Sequence, residues 1–262
     1  DLTVAGNNLY VDDGNGIAQL AIEGGAQAMI TIDGIEKNGQ TVGTYSFLFG
    51  SEDQAIAAGA DGWGSNMSDF TGWLGTALGL SNDDIAGQTL GGRVEIDPSG
   101  SLLIMGNEGT VQDLDLSSGD FSVTYAGVPE GDLVAGDPQI NPFTFTSEQA
   151  ADGESIRTSF VAYDSLGETI TIHVSMVLQE SLDNGGTEWT FLAESPDASG
   201  LNGIVGNGTL VFDSSGSFVS ASSTTLTVPL ENGADSPLVL NLDFDEGTNG
   251  VTALADANSV LA

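Results

Sequence analysis

The side chains able to do chemistry are few in kind. One histidine, His173, and three cations, Lys37, Arg93 and Arg157, stand against 38 Asp and Glu, and cysteine is absent. A Ser-His-Asp or Cys-His arrangement needs a base oriented by an acid with a nucleophile in reach. His173 sits in an alternating run on its polar side, with no G-x-S-x-G elbow in the chain, so it reads as a surface or rim histidine. Glycosidase chemistry needs two carboxylates at a set separation. With 38 acids a pair is always to hand, but nothing distinguishes one pair. Phosphate handling has no G-x-x-x-x-G-K-[ST], and the three basic residues lie far apart in sequence. Zero cysteine excludes disulfide frameworks and thiolate metal sites. The reading is a chain with no catalytic residues, no cofactor and no resident metal.

Calcium chemistry is the strongest rival. Asp12-Asp13-Gly14-Asn15-Gly16, Asp183-Asn184-Gly185-Gly186 and Asp243-Phe244-Asp245-Glu246-Gly247 are oxygen-rich loops of the kind hard cations use. None fits the EF-hand spacing and none repeats as a calcium-binding array. The competing reading is a hairpin turn, in which Asp and Asn bond their own backbone and Gly accepts a positive φ. Asp97-Pro98-Ser99-Gly100 and Asp213-Ser214-Ser215-Gly216 carry that turn plainly, each between two apolar runs, as a type I turn followed by a bulge. The turn reading is preferred. An extracellular adhesin or surface-layer module with calcium in these loops is the alternative function.

The charge balance is extreme: net −35 with a sequence pI near 4.1. Charged residues make up 16% of the chain, below the usual level of roughly 25%, so the oddity is missing base. Such a chain cannot neutralise phosphates, which excludes nucleic acid as a partner, and the same sign argument excludes anionic membranes. Disorder is excluded by 40% hydrophobic residues, including 11 Phe, 4 Tyr and 3 Trp. A chain of this size buries roughly 70–75% of its unfolded surface. No apolar run approaches the roughly 20 residues of a membrane span, and no basic segment marks a cleaved signal peptide. The chain starts at Asp1 without Met, so it reads as an excised or processed form.

The elements that would position any site are mostly strands. Gly, 37 in all, clusters with Asn, Asp and Ser and cuts the chain into apolar runs of strand length. In the run from Thr169 to Leu178, Ile170, Ile172, Val174, Met176 and Leu178 share one face, while Thr171, His173 and Ser175 point the other way. Further strands are expected near residues 28–32, 44–49, 93–96, 102–105, 121–125, 156–163, 189–193, 209–212, 224–228 and 238–244. Helical signals are confined to residues 51–86. Ser51-Glu52-Asp53-Gln54 reads as a capping box with Gly59 as the stop. The segment 65–80 spaces Met67, Phe70, Trp73, Leu74 and Leu78 on one helical face, fit to cover a sheet, and Ser81 with Asp84 is a weaker cap-like pair. Pro129, Pro138 and Pro142 punctuate the junction that follows. The expected fold is mainly β: an α+β domain over residues 1–136 with one or two short helices, and an all-β, sandwich- or barrel-like domain over 137–262. No exact internal repeat is present.

One turn lies in a more specific setting. Tyr163-Asp164-Ser165-Leu166-Gly167 precedes the alternating strand, then come Trp189-Thr190 and Gly208-Thr209-Leu210-Val211-Phe212-Asp213-Ser214-Ser215-Gly216. This succession resembles the outer β-domain of the bacterial flagellar hook protein, whose family carries a V-x-Y-D-S-L-G turn, an alternating strand, a W-T strand and a G-x-L-x-F-D-x-x-G hairpin in that order. Asn141-Pro142-Phe143 and Leu240-Asn241-Leu242-Asp243 sit where that domain begins and closes, so the resemblance covers about residues 140–262. Residues 1–136 resemble the extra outer domain that some longer hook proteins insert ahead of it.

The resemblance implies a structural, non-enzymatic role in the extracellular flagellum, with export independent of a cleaved signal peptide. Its motif residues are Tyr163, Asp164, Ser165, Leu166, Gly167, Trp189, Gly208, Phe212, Asp213 and Gly216, with Asp164 and Gly167 turning the chain and Tyr163 and Leu166 anchoring the corner. It also implies a fragment without the terminal heptad-bearing helices of the family, monomeric when excised. Its partners would be neighbouring copies of itself in the full-length polymer, past which outer domains slide as a torque-transmitting tube bends. With −35 on every copy, such a polymer should weaken at low ionic strength, where the Debye length grows from roughly 8 Å at 0.15 M to 30 Å at 0.01 M.

Overall fold

Runs of alternating apolar residues become short strands from the start of the chain. The computed structural model describes residues 2–5, 8–12, 18–22, 28–98, 100–125, 143–201, 203–245 and 250–253. The Pro-rich junction at 127–142 lies outside them. Strands β1 (Leu2–Ala5), β2 (Asn8–Asp12) and β3 (Ala18–Ile22) pair as an antiparallel meander. Next come β4 (Ala28–Ile32), β5 (Glu36–Lys37), β6 (Gln40–Thr41), β7 (Tyr45–Phe49), α1 (Glu52–Ala58), β8 (Gly62–Gly64) and α2 (Met67–Ala77). Strands β9 (Arg93–Ile96), β10 (Leu102–Met105), β11 (Leu114–Asp115) and β12 (Phe121–Tyr125) follow. Then β13 (Ser155–Tyr163), β14 (Thr169–Ser181), β15 (Thr187–Glu194), β16 (Ile204–Phe212), β17 (Phe218–Ala221), β18 (Thr225–Val228) and β19 (Leu238–Asn241) complete the order. The fold is mainly β, as expected. It divides into two units, one of Asp1–Leu80, Arg93–Met105 and Leu114–Gln149, the other of Ser81–Gly92, Gly106–Asp113 and Ala150–Ala262.

The first unit is built on the sheet β12-β4-β7-β8, antiparallel except for the parallel pair β7–β8. Ser51 caps α1 with the expected capping box, and Gly59 ends it at φ 71°. Helix α2 buries Met67, Phe70, Trp73 and Leu74, the face its spacing calls for. Its cap is Asn66, whose Oδ1 accepts from the Asp69 N–H at 3.0 Å. Phe70 lies against Phe47, Trp73 and Phe143, with ring centroids 5.5, 5.9 and 6.1 Å away. Phe121 joins Phe143 and Phe145, both at 4.9 Å. Phe143, read from sequence as the start of the second domain, is therefore part of the first unit's core. Buried Lys37 donates from Nζ to the Gly79 carbonyl at 3.1 Å, where carbonyls past the end of α2 carry partial negative charge.

Two local readings differ from the outcome. Ser81 and Asp84 do not start a helix. The Ser81 N–H donates to Asn107 Oδ1 at 2.8 Å, and Asp84 Oδ1 accepts from the Gly87 N–H at 2.6 Å, closing a turn. Helical structure also extends beyond residue 86, as single 3-10 turns at Thr110–Gln112 and Ser118–Asp120. One turn is too short to leave a periodic signature.

The second unit is an antiparallel sheet in the order β13-β14-β15-β16-β17, with the β18–β19 hairpin packed over one face. Ile170, Ile172, Val174, Met176, Trp189, Phe191, Leu210 and Phe212 form its core with Leu226, Val228 and Phe244. The alternation of β14 predicted this face correctly. Its opposite face is not uniformly polar and solvated, because Ser175 and Val177 are buried too. Ile85 and Leu90 pack there against Val177 and Leu192. Period-2 alternation marks the two faces of a strand but cannot say that a distant segment will cover the second.

Candidate functional site

The hairpin joining β13 to β14 holds five of the motif residues, and its hydrogen bonds and backbone account for Asp164, Ser165 and Gly167. The Asp164 N–H donates to the Glu168 carbonyl at 3.0 Å, and the Gly167 N–H to the Asp164 carbonyl at 3.1 Å. Gly167 has φ +84°, a conformation that a Cβ disfavours. Asp164 Oδ1 accepts from the Leu166 and Glu168 N–H groups at 2.8 and 2.9 Å. Its Oδ2 accepts from Asn232 Nδ2 at 2.7 Å, and that nitrogen also donates to Glu168 Oε2 at 3.0 Å. The Asp235 N–H donates to Ser165 Oγ at 2.7 Å. The corner is thus held through Asp164 and Ser165. Tyr163 and Leu166, expected as its anchors, expose 65% and 61% of their surface.

Burial of Asp164 favours its neutral form, yet its carboxyl lies below the usual range because the bonds from Asn232, Glu168 and Leu166 outweigh that cost. Donors on both oxygens favour the ionised carboxylate.

The same geometry recurs at Asp213. Its N–H donates to the Ser217 carbonyl and its carbonyl accepts from the Gly216 N–H, both at 2.9 Å. Oδ1 accepts from the Ser215 N–H, Ser215 Oγ and the Ser217 N–H at 2.8, 2.6 and 3.0 Å. Those bonds, led by the Ser215 hydroxyl, lower its pKa. Asp97 repeats the pattern, with Ser101 in the closing role and Gly100 at φ +91°. Of the acidic loops, Asp183–Gly186 is also a hairpin, closed by Leu182 N–H to the Gly186 carbonyl at 2.8 Å. Asp243–Gly247 is described only to Asp245, whose N–H donates to Asp243 Oδ1 at 3.0 Å. Residues 13–16 of the first loop lie outside the described residues. Among the described residues no group of three or more His, Asp or Glu is placed to hold a metal.

The remaining motif residues are core. Trp189 is buried, with Nε1 donating to Thr187 Oγ1 at 3.1 Å. Phe212 is buried edge-to-face on Phe218, 6.2 Å between centroids. A Cβ on Gly208 would overlap the Ser222 carbonyl oxygen and the Phe191 ring, so glycine alone allows that approach. His173 is half-buried. Burial lowers its pKa first, Arg157 lowers it further, and Glu194 and Asp197 oppose the shift. Glu168, Asp197 and Glu231 rim an open groove of about 430 Å³ beside the corner. Asn232 is the participant that sequence reading missed. Its local signal was an Asn-Gly pair, with Gly233 at φ +91°, which marks a turn but names no partner.

Residues 132–262 match the family described as the flagellar basal body protein FlaE D2 domain, which is half of the chain. The chain belongs to this family. A comparison with curated proteins returns no match. The FlaE D2 domain family is structural and belongs to the flagellar hook, an extracellular part of the flagellum that polymerises from copies of its subunit. In this FlaE D2 domain, the Asp164 turn closes the β13–β14 hairpin and the Asp213 turn closes the β16–β17 hairpin.

Proposed function

We propose that this chain forms outer-surface domains of a flagellar hook subunit, which touch neighbouring copies and shift against them as the hook bends while carrying torque. The observation that carries this reading is the FlaE D2 family match over residues 132–262. A surface rich in Asp, Ser, Thr, Asn and Gly supports it, since wet polar contacts with few desolvated anchors allow sliding. In this reading residues 1–136 are an inserted outer domain and 137–262 the hook outer domain proper. Tyr163–Gly167, Trp189, Gly208, Phe212, Asp213 and Gly216 are its framework, without catalysis or cofactor, and the excised chain is a monomer at micromolar concentration.

Electron cryomicroscopy of the full-length polymer tests the reading. Both units should lie on the outer surface, and a unit facing the lumen of the tube would contradict it. Sedimentation of the excised chain tests the monomer, and a stable closed oligomer would count against it.

A further inference from the structure

An asparagine followed by glycine can react with its own backbone. The glycine nitrogen attacks the asparagine Cγ, and the new N–C bond closes a succinimide ring. The Cγ–Nδ2 bond breaks, and the side-chain amide leaves as ammonia, taking the glycine N–H proton with it. Water then opens the ring to aspartate or isoaspartate. Glycine favours the attack because it has no side chain to crowd the nitrogen, so the local fold decides which pairs react. Four such pairs lie among the described residues, at Asn38, Asn184, Asn207 and Asn232. Those at Asn15, Asn202 and Asn249 lie outside them.

Three of the four are held. At Asn184 both reacting groups are engaged: its Oδ1 accepts from the Gly186 N–H at 2.9 Å, and the Gly185 N–H donates to the Leu182 carbonyl at 2.8 Å. Asn207 lies inside β16, paired with Leu192 of β15, and Gly208 is packed against Phe191 and the Ser222 carbonyl. Asn232 donates from Nδ2 to Asp164 and Glu168, and its Oδ1 accepts from the Ala234 N–H at 3.1 Å. Asn38 differs. It joins β5 to β6 with Gly39, and both residues have positive φ, 51° and 68°, as a type I′ turn requires. Both are exposed, and a Cβ on Gly39 would meet nothing within 4 Å. Among the described residues, no hydrogen-bond partner holds the Asn38 side chain or the Gly39 N–H. The flanking ladder is only Glu36–Thr41 and Lys37–Gln40, so the rotation that brings nitrogen to Cγ disturbs little structure.

We propose that Asn38 is a deamidation site, at which the folded chain turns an amide into a carboxylate while Asn184, Asn207 and Asn232 are preserved. Each conversion adds one negative charge to the −35 already present, and the isoaspartyl product lengthens the backbone of the β5–β6 turn by one carbon. Preservation matters most at Asn232, where a new carboxylate would face Asp164 and Glu168.

The test ages the intact chain in warm, mildly alkaline buffer, then reads each Asn-Gly peptide by mass spectrometry with fragmentation that separates aspartate from isoaspartate. A parallel sample in denaturing guanidinium chloride gives the rate of each pair without the fold, and Asn38→Asp supplies the reference peptide. The expected result is that Asn38 converts in the folded chain at close to its denatured rate, with isoaspartate among the products. The other three should be slowed by roughly tenfold or more, because bonds or packing must open before attack. Conversion of Asn184, Asn207 or Asn232 in the folded chain as fast as Asn38 overturns the proposal. So does an Asn38 that reacts in denaturant and is protected by the fold as strongly as Asn232. No conversion at Asn38 in either sample overturns it as well.

Discussion

Asn232 reaches back 68 residues to donate a 2.7 Å hydrogen bond from Nδ2 to Asp164 Oδ2. That bond ties the β13–β14 corner to the loop before β19, and its second branch, to Glu168 Oε2, binds the far side of the same turn.

Asn232→Asp should destabilise the chain more than Asn232→Ala. The alanine removes one donor, whereas the aspartate sets a third carboxylate against Asp164 and Glu168. Thermal unfolding checks the order: wild type first, Asn232→Ala lower, Asn232→Asp lowest. Equal losses would mean that the charge of the corner is irrelevant.

Acid unfolding should carry the signature of Asp164 and Asp213. Both have folded-state pKa values lowered from the ordinary 3.8. Their contribution is therefore present above about pH 4 and is lost as pH falls through the lowered values. His173 adds a separate window. Its folded pKa is lowered from 6.5, so the unfolded chain takes up the proton first and stability declines as pH drops below that value. Urea titrations from pH 2 to 7, scaled to these reference values, should show the upper step removed in His173→Gln and the lower one reduced in Asp213→Asn.

Gly208→Ala should cost about 1–3 kcal/mol, the usual penalty for forcing an extra carbon into a packed site. The Cβ would overlap the Ser222 carbonyl, which is backbone and cannot swing aside. Gly72→Ala is the matched control, because a Cβ on Gly72 would meet nothing within 4 Å. It should raise stability by up to about 1 kcal/mol through helix propensity.

Lys37→Met keeps the length of a buried stem and removes the charge that meets the Gly79 carbonyl at 3.1 Å. The loss should be about 1–3 kcal/mol, the range for a hydrogen bond to a charged group, read by chemical denaturation. An unchanged midpoint would assign Lys37 to packing alone.

The full-length polymer should lose stability as salt is lowered from about 0.15 M to 0.01 M, because the Debye length grows from roughly 8 to 30 Å and like-charged copies feel one another. Light scattering during dialysis measures it, and a salt-independent polymer would remove the repulsion argument.

The features legible in the residues alone are local. Alternation placed β9, β10 and β12 at their observed residues and the buried face of β14 correctly. The Asp-x-x-Gly spacing placed the turns at Asp97, Asp164 and Asp213, because donor, acceptor and glycine all lie within five residues of one another. Tertiary structure alone decided which distant groups complete these elements: Asn232 for Asp164, Gly79 for Lys37, and Ile85 with Leu90 for the second face of β14. It also decided that Tyr163 and Leu166 face solvent. The physical reason is range. Period and turn chemistry act over a few residues, whereas the partner that satisfies a buried donor or covers an apolar face is chosen by the packing of the whole chain.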